Sequence, residues 1–497
     1  MGSIAKPAAA GDTAPAAYRQ FIAGAWVPAD GGAAFDDLDP YSGEVMARIP
    51  AGGRVDAERA IAAAAAAFPA WSALPPSRRQ ALFLRAADIV ESRRTELVSL
   101  LARETGTGGL FANVQVDGAA ALLRQAANWG FLPVGEVLRS DVPDAFVMTV
   151  RQPLGVVAGF SPWNAANFLA WRTVVIPMAY GNTVVLKPSE HAPISAGLVL
   201  AEILEAAGFP SGVLNVVTHA PGDAGPIADA FFESPAVRCL NFTGSSATGA
   251  RLAERAGRHL KRIVLELGGY NPLIVLADAD LERAASLAAF SAFCHQGQIC
   301  MNARKIMVEQ PIFEAFQALL AAKANGLRRG DPAAPDTMIG PLISDLAVDQ
   351  VQGQVDDALS KGARLVAGGR SEGRIYHPTV LAEVPPGATA DHEEIFGPVV
   401  VLQAVADAQE AIGLANASRY GLSASILTGD SQRGADLAKR LDAGMVHVNG
   451  PTIWDEPHLP VGGMKDSGWG RSGLHAIEDF TEIKWTTVER QIRAFPG

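Results

Sequence analysis

The sequence predicts an α/β fold built on a largely parallel sheet. Two observations carry this reading. Helical and strand patterns alternate along most of the 497 residues, and the strand-like runs are short, apolar and followed by loops rich in Gly and Ser. A chain of this length suggests two or three domains. Apolar residues make up 49% and charged residues 19%, a composition that can bury a large core.

The elements follow in order. Ser77 is a plausible N-cap for a helix whose apolar face carries Leu82, Ala86 and Ile89. Val184-Val185-Leu186 is a short buried strand, and a helix runs from about Pro193 to Gly208, ahead of Pro210. Leu214 to Val217 reads as a strand, Pro226 to Phe232 as a helix, and Cys239 to Phe242 as the next strand. That strand enters Thr243-Gly244-Ser245-Ser246, with a helix near Arg251. Ile263 to Leu265 is another strand, closing at Glu266-Leu267-Gly268-Gly269. Units of this kind bind ligands at the carboxyl ends of their strands. A second set begins after Asn271, with a strand at Leu273 to Leu276 and a helix capped by Asp280 that reaches about Phe293. Gln296-Gly297-Gln298 stops that helix, so Cys300 falls in a loop before the strand Ile306 to Val308.

Charge and cysteine usage narrow the function. A net charge of -11 argues against nucleic-acid partners and anionic membranes, which call for a basic face. The three cysteines, Cys239, Cys294 and Cys300, form no CxxC pair and no metal-ligand spacing, so neither a disulfide framework nor a metal site is expected. Unpaired thiols in a large chain fit a reducing cytoplasm. The Ala- and Pro-rich start lacks the apolar core of a secretory signal, and no apolar run is long enough to span a bilayer.

Four segments bear chemistry. Cys300 sits among Gly and polar residues, where a thiol can become a nucleophile if its surroundings favour the thiolate or hold a base. Cys239 and Cys294 read as small buried hydrophobes. Glu266 ends an apolar strand, where desolvation raises a carboxyl pKa toward that of a useful general base. Asn164, in Ser161-Pro162-Trp163-Asn164, offers an uncharged N–H donor to an oxyanion. Glu394 and Phe396, two apart on an extended segment, point to one side and suit a sugar and a flat ring. Taken singly, each segment also reads as a plain turn or strand end.

In this order and at these spacings the segments resemble the aldehyde dehydrogenase superfamily. The resemblance spans about Phe21 to Trp485 and includes Lys187-Pro188-Ser189-Glu190, Phe242-Thr243-Gly244-Ser245 and Gly297-Gln298-Ile299-Cys300. It implies the aldehyde dehydrogenase fold: a Rossmann-like NAD-binding domain over residues 18–135 and 154–268, and an α/β catalytic domain over 269–465. A small β oligomerisation element would combine 136–153 with 478–497, after a disordered tail over 1–17. It also implies Cys300 as nucleophile, Glu266 as the base that activates water, and Asn164 as oxyanion donor. Cofactor contacts would come from Phe160, Trp163, Lys187, Ser189, Glu190, Thr243, Gly244, Ser245, Leu267, Glu394 and Phe396. Glu190 near a ribose 2′-hydroxyl favours NAD over NADP. The implied assembly is a homodimer or homotetramer, because an added strand needs a partner sheet edge.

The segment His447 to Pro457 is similar to the branch that oxidises aromatic aldehydes of the benzaldehyde, salicylaldehyde and vanillin type. Arg172 falls where that branch has an arginine in the substrate tunnel, able to meet a ring hydroxyl or phenolate, or else to form a helix-face salt bridge. Phe168, Ile299 and Trp454 are further substrate-side candidates. A dicarboxylic semialdehyde, its distal carboxylate on Arg172, is an alternative substrate. A coenzyme A-acylating enzyme would need no Glu266, and a non-catalytic nucleotide-binding relative would not need Cys300, Glu266 and Asn164 together. Gly468-Trp469-Gly470-Arg471-Ser472-Gly473 spells a dinucleotide fingerprint but follows no strand and opens no βαβ unit, so it reads as structural.

Overall fold

The computed structural model describes residues 15–491. Two sheets dominate it. The first has eight strands, ordered Gly468–Trp469, Arg262–Glu266, Val237–Thr243, Val156–Ser161, Thr183–Pro188, Leu214–Val216, Gln20–Ile22 and Ala25–Val27. The five strands from Arg262–Glu266 to Leu214–Val216 are parallel. The three central ones, Val156–Ser161, Thr183–Pro188 and Leu214–Val216, are buried at every position, which is why Val184-Val185-Leu186 reads as a continuous apolar run.

The chain builds this sheet outward from Val156–Ser161. It first adds Thr183–Pro188 and Leu214–Val216 on one side, then crosses to add Val237–Thr243 and Arg262–Glu266 on the other. The order therefore reverses beside Val156–Ser161. At such a switch point the flanking loops diverge and leave a crevice at the carboxyl ends of the strands. The segments bearing Asn164, Glu190, Ser245 and Glu266 all leave from those carboxyl ends.

The second sheet has seven strands, ordered Arg364–Ala367, Thr379–Ala382, Val399–Val405, Lys305–Glu309, Leu273–Val275, Ser423–Leu427 and Met445–Val448. Here the functional loops lie at the amino ends. Cys300 precedes Lys305–Glu309, and Glu394 to Phe396 precede Val399–Val405. A third sheet pairs Thr481–Glu489 with Ala145–Pro153, which in turn pairs with Gly135–Leu138, all antiparallel.

Local chemistry explains the helix starts. The Asp280 side chain accepts the Arg283 N–H and caps Leu281–Phe293, as its position before an apolar run suggests. Ser245 caps Ser246–Arg258 through the Thr248 N–H. The helix expected after an N-cap at Ser77 begins two residues earlier, at Pro76, with Pro75 at the cap position. Proline suits a first helical turn because its missing N–H has no intrahelical acceptor there. The helix expected from about Pro193 opens with a wide turn over Ile194–Leu198 before Val199–Ala206.

The tail expected over 1–17 lies outside the described residues as far as residue 14. Ala16–Ala17 differs from that expectation, because it forms a parallel strand on Ala47 and Arg48 and its backbone groups are satisfied there. The Gly468–Trp469 stretch is likewise a short strand. It pairs antiparallel with Leu265 and Glu266 and closes that edge of the sheet. No described helix is long and apolar enough to cross a membrane.

Candidate active site

A cavity of about 490 Å³ lies between the carboxyl ends of the first sheet and the amino ends of the second, and Asn164, Glu266 and Cys300 all line it. The loop carrying Cys300 is tightly held. After Phe293 the backbone turns through His295 (φ 52°), Gln296 (φ 51°) and Gly297 (φ 68°). Positive φ at two successive non-glycine residues is costly and persists only where neighbours impose it. Gln296 supplies part of that restraint, its side-chain amide donating to the carbonyls of Gly106 (3.0 Å) and Pro341 (3.1 Å). Gly297 is required by close approach, since a Cβ there would lie 2.1 Å from the Gly397 carbonyl oxygen.

Residues with no marked sequence signal brace the same loop. The Asn271 amide donates to the carbonyls of Cys300 (2.7 Å) and Asn302 (2.8 Å). Asn302 Oδ1 accepts the Ile299 N–H at 2.6 Å. The buried Arg304 guanidinium donates to the Gly397 carbonyl at 3.0 Å and also to that of Gly297, tying the Cys300 loop to the Glu394–Gly397 loop. Only the left-handed φ of Asn271 (46°) after Gly268-Gly269 has a counterpart in sequence, since Asn tolerates that conformation.

The electrostatics follow from burial. Desolvation pushes the Cys300 thiol up to about 12, the negative charges of Glu394 and Glu266 add to it, and Arg172 opposes. Burial likewise raises Glu266 to about 8, against the pull of Arg172 and Arg471. Glu266 Oε1 is buried without a hydrogen-bond partner. Cys239 packs in the strand core. Cys294 is also buried, but it lies in the cavity wall.

Phe168 and Arg172 stand four residues apart on Ala166–Ala179, and every other residue of that helix is buried. Both therefore project from one face, and both line the cavity. Arg172 forms an ion pair with Asp455 and lies 4.9 Å over the Phe168 ring. The expected salt bridge thus exists, but as a nearly buried pair within the cavity wall. Ile299 is buried against the cavity, and Trp454 is half exposed at its edge.

The dinucleotide candidates are ranged along the switch-point crevice. Lys187 is buried and brought down to about 8 by desolvation, while Glu190 opposes that shift. Its Nζ lies 2.7 Å from His219 Nε2. Burial works against the Glu190 charge, but its own backbone N–H, Lys187 and His219 hold it below the usual carboxylate range. Ser189 Oγ accepts the His191 N–H at 3.3 Å. Ser245 is exposed at the start of a 13-residue helix, next to Gly244 and Thr243. Glu394 accepts the Gly269 N–H at 3.3 Å, and a Cβ at Gly268 would sit 2.1 Å from Glu394 Oε2. Trp163 and Phe396 meet edge-to-face at 5.6 Å, one from each side of the crevice. Leu267 lines the cavity. The Phe160 ring instead packs on Phe231 and Phe242 in the core, which leaves its main chain at the strand end.

These residues fit a nicotinamide dinucleotide. The crevice offers a helix start with exposed N–H groups for a pyrophosphate and carboxylates, Glu190 and Glu394, for sugar hydroxyls. A switch-point crevice opening onto a cavity with a cysteine and a carboxylate defines a dinucleotide-dependent oxidoreductase. The chain belongs to the aldehyde dehydrogenase family, whose model matches residues 26–486, and is an NAD(P)-dependent oxidoreductase acting on aldehydes. It is 44% identical to a vanillin dehydrogenase of Pseudomonas fluorescens over 476 residues, covering 96% of this chain and 98% of that protein. The crystal structure of a salicylaldehyde dehydrogenase from Pseudomonas putida G7 complexed with salicylaldehyde superposes with a TM-score of 0.94 at 37% identity, covering 96% of this chain and 99% of that one. Betaine aldehyde dehydrogenase from Staphylococcus aureus in complex with NAD+ does so with a TM-score of 0.93 at 30% identity, covering 96% and 95%.

Proposed function

We propose that this protein oxidises aromatic aldehydes to carboxylic acids with NAD, through a thioester on Cys300. The observation that carries the reading is one cavity in which Cys300, Glu266 and Asn164 share walls with Phe111, Phe168, Phe290 and Trp454. Aromatic and aliphatic walls reward a flat apolar substrate, and a few polar groups orient it. The likeness to vanillin and salicylaldehyde dehydrogenases supports the same class.

In this mechanism Cys300 Sγ attacks the aldehyde carbon as its proton passes to ionised Glu266, because burial holds the free thiol at about 12, and Glu266 releases that proton to solvent before deacylation. The resulting oxyanion accepts hydrogen bonds from the Asn164 side-chain amide and the Cys300 backbone N–H. When bound, the dinucleotide supplies the hydride acceptor that converts the thiohemiacetal to a thioester. Glu266 then removes a proton from water, the hydroxide adds to the acyl carbon, and the C–S bond breaks to release the acid and regenerate Cys300. Lys187, Glu190 and Ser189 would hold the adenosine ribose, and Ser245 with the helix start after Gly244 the pyrophosphate. Glu394 would hold the nicotinamide ribose beside Phe396. The retained charge on Glu190 accepts a ribose 2′-hydroxyl and repels a 2′-phosphate, which supports NAD over NADP.

The chain would act as a homodimer or homotetramer. The third sheet exposes Val137, Ile483 and Trp485, at 70%, 58% and 71%, and its outer strands leave edges for a partner. Light scattering during size-exclusion chromatography tests this, and a monomer at micromolar concentration overturns it.

A substrate panel tests the chemistry. Benzaldehyde, salicylaldehyde and vanillin should exceed hexanal and succinic semialdehyde in kcat/KM, followed by NADH absorbance. Equal kcat/KM for hexanal and vanillin overturns the aromatic reading.

A further inference from the structure

We propose that Asp455 is a specificity residue, and that its carboxylate accepts a hydrogen bond from a hydroxyl on the substrate ring. The inference rests on the aromatic reading above and assigns the feature that distinguishes among aromatic aldehydes.

Four charged side chains line the cavity: Asp117, Arg172, Glu266 and Asp455. Asp117 is largely exposed and paired with Arg94 at 2.5 Å. Glu266 is assigned to water. The remaining two form the Arg172–Asp455 ion pair, with side chains only 11% and 13% exposed. Arg172 uses one Asp455 oxygen, Oδ2, and the other, Oδ1, is buried with no hydrogen-bond partner. A buried carboxylate oxygen without a donor is unfavourable, so a small turn of the Asp455 side chain that presents Oδ1 to a substrate hydroxyl gains more here than at a wet surface.

The carboxylate is also well placed to discriminate, because its loop is anchored. Ser425 Oγ donates to the Gly450 carbonyl at 2.6 Å, Ser423 Oγ donates to that of Thr452 at 2.7 Å, and the Thr452 N–H reaches Ser291 Oγ at 3.3 Å. The pair carries no net charge. A phenolate or a distal carboxylate would meet Asp455 as well as Arg172, whereas a neutral hydroxyl meets an acceptor. The pair thus favours a neutral phenol over a phenolate and disfavours a dicarboxylic semialdehyde, whose carboxylate needs an uncompensated arginine.

The test compares each hydroxybenzaldehyde isomer with its methyl counterpart, the corresponding tolualdehyde, which is close to the hydroxyl in size and donates no hydrogen bond. In the wild-type protein at least one isomer should show a hydroxy-to-methyl ratio in kcat/KM of about tenfold or more, the scale of a hydrogen bond to a charged group. Asp455→Asn, and an Arg172→Met/Asp455→Leu double variant that replaces the pair with apolar bulk, should both reduce that ratio toward one. Failure of a variant to fold leaves the wild-type ratio decisive. A wild-type ratio near one for all isomers, or a ratio that survives both replacements, overturns the inference while benzaldehyde turnover leaves the aromatic reading intact. Turnover of hexanal but not benzaldehyde would instead overturn the aromatic reading itself.

Discussion

The side-chain amide of Asn271 donates a 2.7 Å hydrogen bond to the main-chain carbonyl of Cys300, so a residue at the amino end of one strand sets the backbone of the candidate nucleophile. A second bond to Asn302 at 2.8 Å fixes the next turn of that loop. Asn271→Ala strips donors from two carbonyls, one of them fully buried, and should cost about 1–3 kcal/mol of stability. It should also slow acylation. Urea unfolding reads the first effect and the pre-steady-state burst of NADH the second; a normal burst in the variant would mean that the loop holds its shape without Asn271.

Glu266 holds its proton up to about pH 8 because it is buried. As a base it acts only when ionised, so deacylation should rise with pH through about 8. Glu266→Gln should leave an acyl adduct on Cys300, visible by intact mass after one turnover. The linkage sign for stability runs the other way. The folded protein binds this proton more tightly than the unfolded chain, so the group's contribution is full at acid pH and is lost as pH rises through about 8.

The charges around Cys300 predict opposite shifts in its reactivity. Glu266 raises the thiol pKa and Arg172 lowers it. The pH limb of iodoacetamide alkylation at Cys300 should therefore move to lower pH in Glu266→Gln and to higher pH in Arg172→Met. Shifts in the same direction would mean that packing rather than charge governs the thiol.

A Cβ at Gly268 would lie 2.1 Å from Glu394 Oε2, so a side chain there must push that carboxylate aside. Gly268→Ala should displace that carboxylate and weaken NAD binding by about tenfold, roughly the loss of one charge-assisted hydrogen bond. Calorimetric titration with NAD measures it, and an unchanged Kd would remove Glu394 from the ribose.

Glu190 should set cofactor choice. Glu190→Gln keeps the shape and removes the charge that repels a 2′-phosphate. The ratio of kcat/KM for NAD over NADP should fall, chiefly through a lower KM for NADP. A ratio unchanged by the substitution would point to another determinant.

Much of this protein is determined locally and so was legible in the chain. Asp280 and Ser245 announce helix starts because a short polar side chain there satisfies a free N–H. The central parallel strands announce themselves because both their faces are buried. Cys300, Glu266, Asn164 and Glu394 stand out because each is a chemically apt residue at the end of an element, in a linear order that resembles one family. Tertiary structure alone decided what lies across from them. Asn271, Arg304 and Gln296 act on backbone carbonyls up to 190 residues away, and no local pattern marks such a partner. Arg172 read equally as a ring contact or as a helix-face salt bridge, and only folding supplied the partner, Asp455, from 283 residues away. The upward direction for Glu266 could be read from its place at the end of an apolar strand, but its size and the raised thiol of Cys300 belong to the fold, because they depend on how completely packing excludes water. Local sequence specifies which groups are present and on which face; only the assembled cavity specifies their neighbours, and the neighbours set the charge.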